Sequence, residues 1–348
     1  MFWFKKRKAP TIDQTKLGVI PDPRPIDEKN RDYKAEEIFE FAPFEWKDKP
    51  QIDWFKYPIF NQDRSSSCLA QATAKVLGIE NFLEEGRFNT YSAKDIYLQR
   101  SNYPSPGMYF IDALKIGHNL GACLEQLMPS QQLNEEIMNL PEDRTPSMKI
   151  IASMFRGGSY LVLPKDVDQI ASIIEPKGKP VVLGVKFGPN EWNKIVPEIL
   201  GTEAPYGHGI VGTNATLWNG QKAIVIEDSW GPETGMEGRR ILTENWFTAG
   251  RVIFAGYFEA LNNIGLEEKP KYEFKRDLRF GMRGDEDVKK LQECLAYLKM
   301  FPSGVIDFTG NFFGITLKAV LLFQETYKIT ATGFVGPETR GQLNILFA

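Results

Sequence analysis

The sequence predicts an α+β domain of catalytic size followed by a small C-terminal three-helix domain. Three observations carry this. Apolar residues recur at helical spacing from Cys68 to about residue 121, short β-branched and aromatic runs separated by Gly, Pro and Asn follow after about residue 150, and residues 277–348 carry a helical texture of their own. At 348 residues, 42% hydrophobic and 25% charged, the chain has room for two or three ordinary globular domains.

Residues 1–50 set six prolines, Pro10, Pro21, Pro23, Pro25, Pro43 and Pro50, among dense charges, which disfavours a compact core and predicts an extended arm. Its aromatics Phe39, Phe41, Phe44 and Trp46 are too apolar for a free linker, so the arm is expected to lie against something. A strap on its own domain, an inhibitory pro-segment and an anchor to a larger assembly all stay open. In CLAQATAKVLGIENFL, the spacing of Leu69, Ala72, Val76, Ile79 and Leu83 predicts a long helix with Cys68 at its N-terminal end. YSAKDIYLQR and FIDALKIGHNLG predict two more, the last stopped at Gly121. SYLVL, KPVVLGVKF, HGIVGTNATLW, KAIVIEDSW and RVIFAGYF predict strands. The expected division is an arm over 1–50, a catalytic domain over 51–262, a linker over 263–273 and a C-terminal domain over 274–348.

A thiol is a strong nucleophile only as thiolate, which a helix N-terminus and a neighbouring imidazolium both favour. Cys68 has the first and needs the second. The chain has two histidines. His118 falls inside a helical pattern, whereas His208 stands at a strand edge between Gly207 and Gly209, with backbone room for close approach, and is assigned the base. In EDSWG, Asp228 is placed to fix the imidazole tautomer and Trp230 to shield that hydrogen bond from water. Cys123, Cys294 and His118 read as structural.

The order and spacing of these residues resemble the papain family of cysteine peptidases. In N61-Q-D-R-S-S-S-C68, Gln62 stands six residues before Cys68, then His208 and Asp228-Ser-Trp-Gly follow. The resemblance, over roughly residues 51–262, implies a two-lobed papain-like fold, a helical lobe and a β-barrel lobe with a cleft between them. It also implies an oxyanion hole made by the Gln62 side chain and the Cys68 backbone N–H, and a helical wall in which Gly107 offers backbone hydrogen bonds to substrate while Met108 or Tyr109 shapes a specificity pocket. Asp228 stands where the papain pattern has Asn, and Leu69 where it has Trp.

In residues 277–348, Val288, Leu291, Leu295 and Leu298 make one helical face behind Asp285, Glu286 and Asp287. Leu317, Val320 and Leu321 mark a second helix with Thr316 as its expected cap, and Pro337 opens a third. Gly284, Val288, Leu291, Gln292, Gly310, Thr316, Ala319, Phe323, Gln324, Gly333, Val335, Gly336 and Thr339 resemble the peptidoglycan-binding module of cell-wall hydrolases. The two resemblances together imply a peptidase acting on peptidoglycan or wall protein, as in a phage endolysin or virion tail lysin, with residues 1–50 free to meet other virion proteins. A maturation proteinase with an inhibitory arm and a silent virion component are the alternatives.

The formal net charge of −3 and the lack of a basic cluster argue against nucleic acid as a partner. No run of about 18 apolar residues argues for a membrane span, and no metal cluster, phosphate loop or nucleotide fingerprint argues for a cofactor. The start MFWFKKRKAPTID lacks the apolar stretch of a secretory signal, so synthesis in the cytoplasm and action at the wall by another route are expected. Three widely spaced cysteines make no disulfide framework.

Overall fold

The computed structural model describes residues 17–25, 29, 32, 34–37, 41, 43–86, 88–141, 144–158, 160–258, 269–298, 300 and 308–348. The expected arm over 1–16, Phe39 and most of the linker over 263–268 lie outside these residues.

A helical lobe comes first. Helix α1 (Cys68–Glu85) is buried along nearly its whole length and ends on Gly86 at φ 69°, where a left-handed cap favours glycine. Helices α2 (Ala93–Tyr97) and α3 (Phe110–Asn119) pack on it, and Gly121 turns the chain at φ 69° after α3. Two further helices, α4 (Glu135–Met138) and α5 (Pro146–Met154), complete this side; Asn134 and Thr145 cap their first turns through their side chains.

The second lobe is one antiparallel six-stranded sheet. Its strands are β3 (Tyr160–Val162), β4 (Val181–Phe187), β5 (Tyr206–Trp218), β6 (Gln221–Glu227), β7 (Arg239–Thr243) and β8 (Val252–Phe258), in the order β3-β8-β4-β5-β6-β7. The β-rich texture hides helix α6 (Val167–Lys177), capped by Asp166, which packs on β4, β5 and β6; the short helix α7 (Glu244–Thr248) follows β7.

From Phe41 onward the arm is a strap on this lobe. Phe41, Phe44 and Trp46 pack against the sheet core, and the Trp46 indole donates to Asp168 at 2.5 Å. The Leu217 N–H donates to the Lys47 carbonyl at 3.2 Å, which extends the strap along the sheet. Further upstream the arm does something else. Strand β1 (Val19–Ile20) pairs in parallel with β2 (Met108–Tyr109) of the helical lobe, Val19 opposite Met108 and Ile20 opposite Tyr109.

The C-terminal domain has helices α8 (Glu286–Tyr297), α9 (Gly314–Thr326) and α10 (Pro337–Phe347), and α9 packs on α5 of the helical lobe. Thr316 does not cap α9. Phe313 holds that position, and the Thr316 hydroxyl inside the helix donates to the Asn311 carbonyl at 2.9 Å. The reason is an internal repeat. Gln292 Oε1 accepts from the Gly310 N–H at 3.0 Å while its Nε2 donates to Asn311 O and Thr316 Oγ1 at 3.0 and 2.8 Å. One repeat later, Gln324 Oε1 accepts from the Gly333 N–H at 2.8 Å while its Nε2 donates to Phe334 O and Thr339 Oγ1, both at 2.9 Å. Each glutamine is buried and each glycine has a positive φ, so the same sealed polar knot closes both helix-to-helix turns.

Candidate active site

Cys68 is the first residue of α1, so the partial positive charge of the helix end falls on its sulfur. His208 comes from β5, where it stands opposite Val185 of β4. The glycines on either side act separately. A Cβ on Gly209 would lie 2.8 Å from the Leu69 side chain and 3.0 Å from its Cα, so bare backbone is what lets β5 reach α1. On Gly207 it would lie 2.6 Å from the Val19 carbonyl, so this glycine makes room for the arm.

Asp228 follows the end of β6, and its Oδ1 lies 2.7 Å from His208 Nε2. That leaves Nδ1 as the ring nitrogen for Cys68, whose sulfur adds to the forces holding the ring charged. Burial alone would disfavour an imidazolium here, but the Asp228 carboxylate outweighs it and, with Cys68, lifts His208 to about 9. Asp228, itself buried, is held far below the usual carboxylate range by His208 and then by Arg240. Its Oδ2 accepts from Trp192 Nε1 at 2.9 Å and from Arg240 Nε at 3.0 Å, and Oδ1 also takes the Ser229 N–H at 2.8 Å. Trp230 covers the pair, with ring centroids 4.8 Å from His208, and Trp192 meets the same imidazole edge-on at 6.0 Å. The imidazole therefore sits in a buried, aromatic-walled site with one buried carboxylate aimed at it.

Gln62 is fully buried. Its backbone N–H donates to Ser229 O at 2.8 Å, its Oε1 accepts from the Ser229 hydroxyl at 2.6 Å, and Nε2 donates to Ser65 O at 2.6 Å. The side chain is fixed between the two lobes, one turn of loop before Cys68. The loop itself is tied down by Glu135, which accepts from the Ser66 N–H at 2.7 Å and from the Tyr97 hydroxyl at 2.7 Å; Tyr97 in turn accepts from the Gly107 N–H at 2.9 Å. One carboxylate thus couples the Cys68 loop to the Gly107 segment of the same helical lobe. A buried ion cluster locks the lobes beneath: Lys75 of α1 pairs with Glu227, whose other oxygen meets Arg239 at 3.2 Å.

The cleft is filled by the chain's own arm. The Met108 N–H donates to the Gly18 carbonyl at 2.7 Å, and Gly107, at φ 82°, faces the same carbonyl. A Cβ on Gly18 would lie 1.9 Å from the Ser66 carbonyl oxygen and 3.2 Å from Cys68 Sγ, so the arm crosses directly over Cys68. Cys68 and His208 are both 0% exposed. Of the residues expected to line the cleft, Gly107 and Met108 meet the arm through backbone, Met108 buries its side chain in the core, and Tyr109 pairs with Ile20.

Trp192, Arg240, Glu135 and Tyr97 escape a sequence reading. Only the pairing of Ile226 with Arg240 across β6 and β7 brings that guanidinium under Asp228, and no local pattern announces it. Cys123 and Cys294 are buried, and burial pushes both thiols up. His118 packs its ring on Tyr160 and places Nδ1 2.8 Å from the Gly158 carbonyl. Among the described residues no group of three or more His, Cys, Asp or Glu could hold a metal ion, and no helix is long and apolar enough to cross a membrane.

Residues 284–343 match the family model described as "Putative peptidoglycan binding domain". No curated protein matches the chain. Among solved structures, xylellain, a cysteine protease from Xylella fastidiosa, is similar at 18% identity and a TM-score of 0.57, over 74% of this chain and 99% of that one. The ragweed pollen allergen Amb a 11, a cysteine protease in its proform, is similar at 18% identity and a TM-score of 0.52, over 68% and 72%. Procathepsin B S9 of Trypanosoma congolense gives 13% and 0.52, over 71% and 87%. The chain therefore has a papain-like cysteine protease fold joined to a C-terminal domain of the peptidoglycan-binding type.

Proposed function

We propose that the chain is a cysteine peptidase, tethered to bacterial cell wall by its C-terminal domain, that cleaves peptide bonds of peptidoglycan or wall-associated protein. The observation that carries this is the array of Cys68 at a helix N-terminus, His208 with Nδ1 left for that sulfur, and Asp228 2.7 Å from Nε2. In the proposed reaction His208 takes the Cys68 proton, the thiolate attacks the scissile carbonyl, and the imidazolium returns the proton to the leaving amine; water then repeats the sequence on the thioester. Gln62 Nε2 and the Cys68 N–H are assigned the oxyanion. Gly107, Met108 and Tyr109 present the edge to which extended substrate adds, since the arm already uses that edge. The tether raises local substrate concentration, because the second encounter becomes intramolecular. An endolysin or a virion tail lysin of a phage fits this pairing of domains.

A specific observation favours an added inhibitory role for the arm: Gly18 lies over Cys68. We infer that the described state is latent and that substrate must displace Leu17–Ile20. The test is turbidity loss from purified walls and hydrolysis of casein by the parent, by Cys68→Ala and by a chain lacking residues 1–45. Wall lysis that is faster without the arm and abolished by Cys68→Ala is expected. Activity on casein with none on walls would move the reading to a maturation proteinase, and no labelling of Cys68 by thiol reagents in the arm-less chain would sink both.

A further inference from the structure

We propose that the C-terminal domain meets its ligand on one aromatic and basic face built by Phe280, Arg283 and Phe313, flanked by Arg279 and Phe334, and that the ligand is a polymer offering sugar rings and carboxylates together. This rests on the wall-binding reading above and names the surface and chemistry that reading needs.

Three loops converge at this end of the domain. Leu278 and Val335 exchange backbone hydrogen bonds at 3.2 and 2.9 Å, the Gly281 N–H donates to Phe312 O at 2.9 Å, and the Phe312 N–H donates to Met282 O at 2.8 Å. The Gly284 N–H donates to Asn311 Oδ1 at 2.9 Å. The loops are therefore fixed to one another, and what they carry outward is held in place before any ligand arrives.

What they carry is unlike the rest of the domain surface. Phe280 is 59% exposed and Phe334 39% exposed, although buried Leu278 and Val335 beside them already fill the core. Phe280 meets Phe313 edge-on at 6.0 Å, and the Arg283 guanidinium lies 5.1 Å from the Phe313 centroid. Ring faces of this kind stack on the C–H faces of sugars, and a guanidinium lying on a ring keeps its N–H fork free for a carboxylate. The charges nearby sharpen the contrast. Arg276 is taken by Asp285 and Asp287, and Arg340 by Asp277, whereas Arg279 and Arg283 have no carboxylate partner among the described residues. Glycan strands bearing acidic peptide stems supply both features the face requests.

Sedimentation of the full chain, carrying Cys68→Ala so that walls stay intact, with purified cell walls tests this. Phe280→Ala and Arg283→Gln are each expected to weaken retention about tenfold, while melting temperatures match the parent's because both side chains are exposed. On walls whose carboxylates are converted to neutral amides by carbodiimide coupling to methylamine, Phe280→Ala still weakens retention and Arg283→Gln no longer differs from the parent. Variants retained like the parent on intact walls overturn the assignment while leaving wall binding in place. A parent that walls do not retain overturns the wall reading and this one with it. Equal loss for Arg283→Gln on intact and amidated walls overturns the carboxylate half.

Discussion

Gly18→Ala is the sharpest test of how the arm controls the site. The added methyl would lie 1.9 Å from the Ser66 carbonyl oxygen, more than about 1 Å inside ordinary carbon–oxygen contact. Ser66 has little room to yield, since its N–H is held by Glu135 at 2.7 Å and Ser65 and Ser67 are buried on either side. The arm is the weaker partner, because its cleft segment is a two-residue strand. Overpacking of this kind costs about 1–3 kcal/mol, which shifts the open-to-closed ratio by about 5- to 150-fold. The second-order rate of Cys68 alkylation by iodoacetamide should rise by that factor, with the chain lacking residues 1–45 setting the ceiling. An unchanged rate in a Gly18→Ala chain that melts like the parent would refute the reasoning, since the methyl would then have been absorbed without opening the cleft.

Two further outcomes follow from the site and the C-terminal domain. His208, raised from 6.5 to about 9, stabilises the fold fully below pH 6.5 and loses that contribution as pH rises through about 9. Asp228, depressed below 3.8, keeps its contribution until far more acid conditions. Asp228→Asn should therefore move the alkaline limb of activity, measured on the arm-less chain, to lower pH and flatten the dependence of melting temperature between pH 6.5 and 9; an unmoved limb would remove Asp228 from the role assigned here. Gln292→Ala and Gln324→Ala should each destabilise the C-terminal domain by about 1–3 kcal/mol, because each strands a buried glycine N–H. Denaturant unfolding that gave one a large cost and the other none would show that the two knots are not equivalent.

Much of the fold was legible because the signals were local. Apolar spacing behind Cys68 marks a helix whatever it packs on, and β-branched runs mark β4, β5, β6 and β8. Helix α6 carries helical spacing in Val167, Ile170 and Ile174 behind the capping Asp166, but its β-branched residues and its place among strand runs mask it. Thr316 misleads for a related reason: a hydroxyl near a helix start has the chemistry of a cap, and only the distant Gln292 reveals its other use. At the site, Cys68 and His208 could be paired by elimination and chain order. Trp192 and Arg240 could not, since Asp228 meets them through strand register and a loop closure that no short pattern encodes. The segment around Gly18 looked like any apolar interruption in a charged arm. Its meaning lies wholly in where residues 66, 68, 107 and 207 come to stand.

The strand over Cys68 belongs to the same chain as the cleft it fills, and that fixes how the occlusion scales. A separate inhibitor leaves on dilution, but a tethered segment keeps an effective concentration in about the millimolar range in any volume. Occlusion of this sort is indifferent to how much protein is present, and a peptide entering the cleft must compete with that local concentration. A cut on the C-terminal side of Ile20 would end the advantage at once, turning a permanent neighbour into an ordinary dissociable ligand.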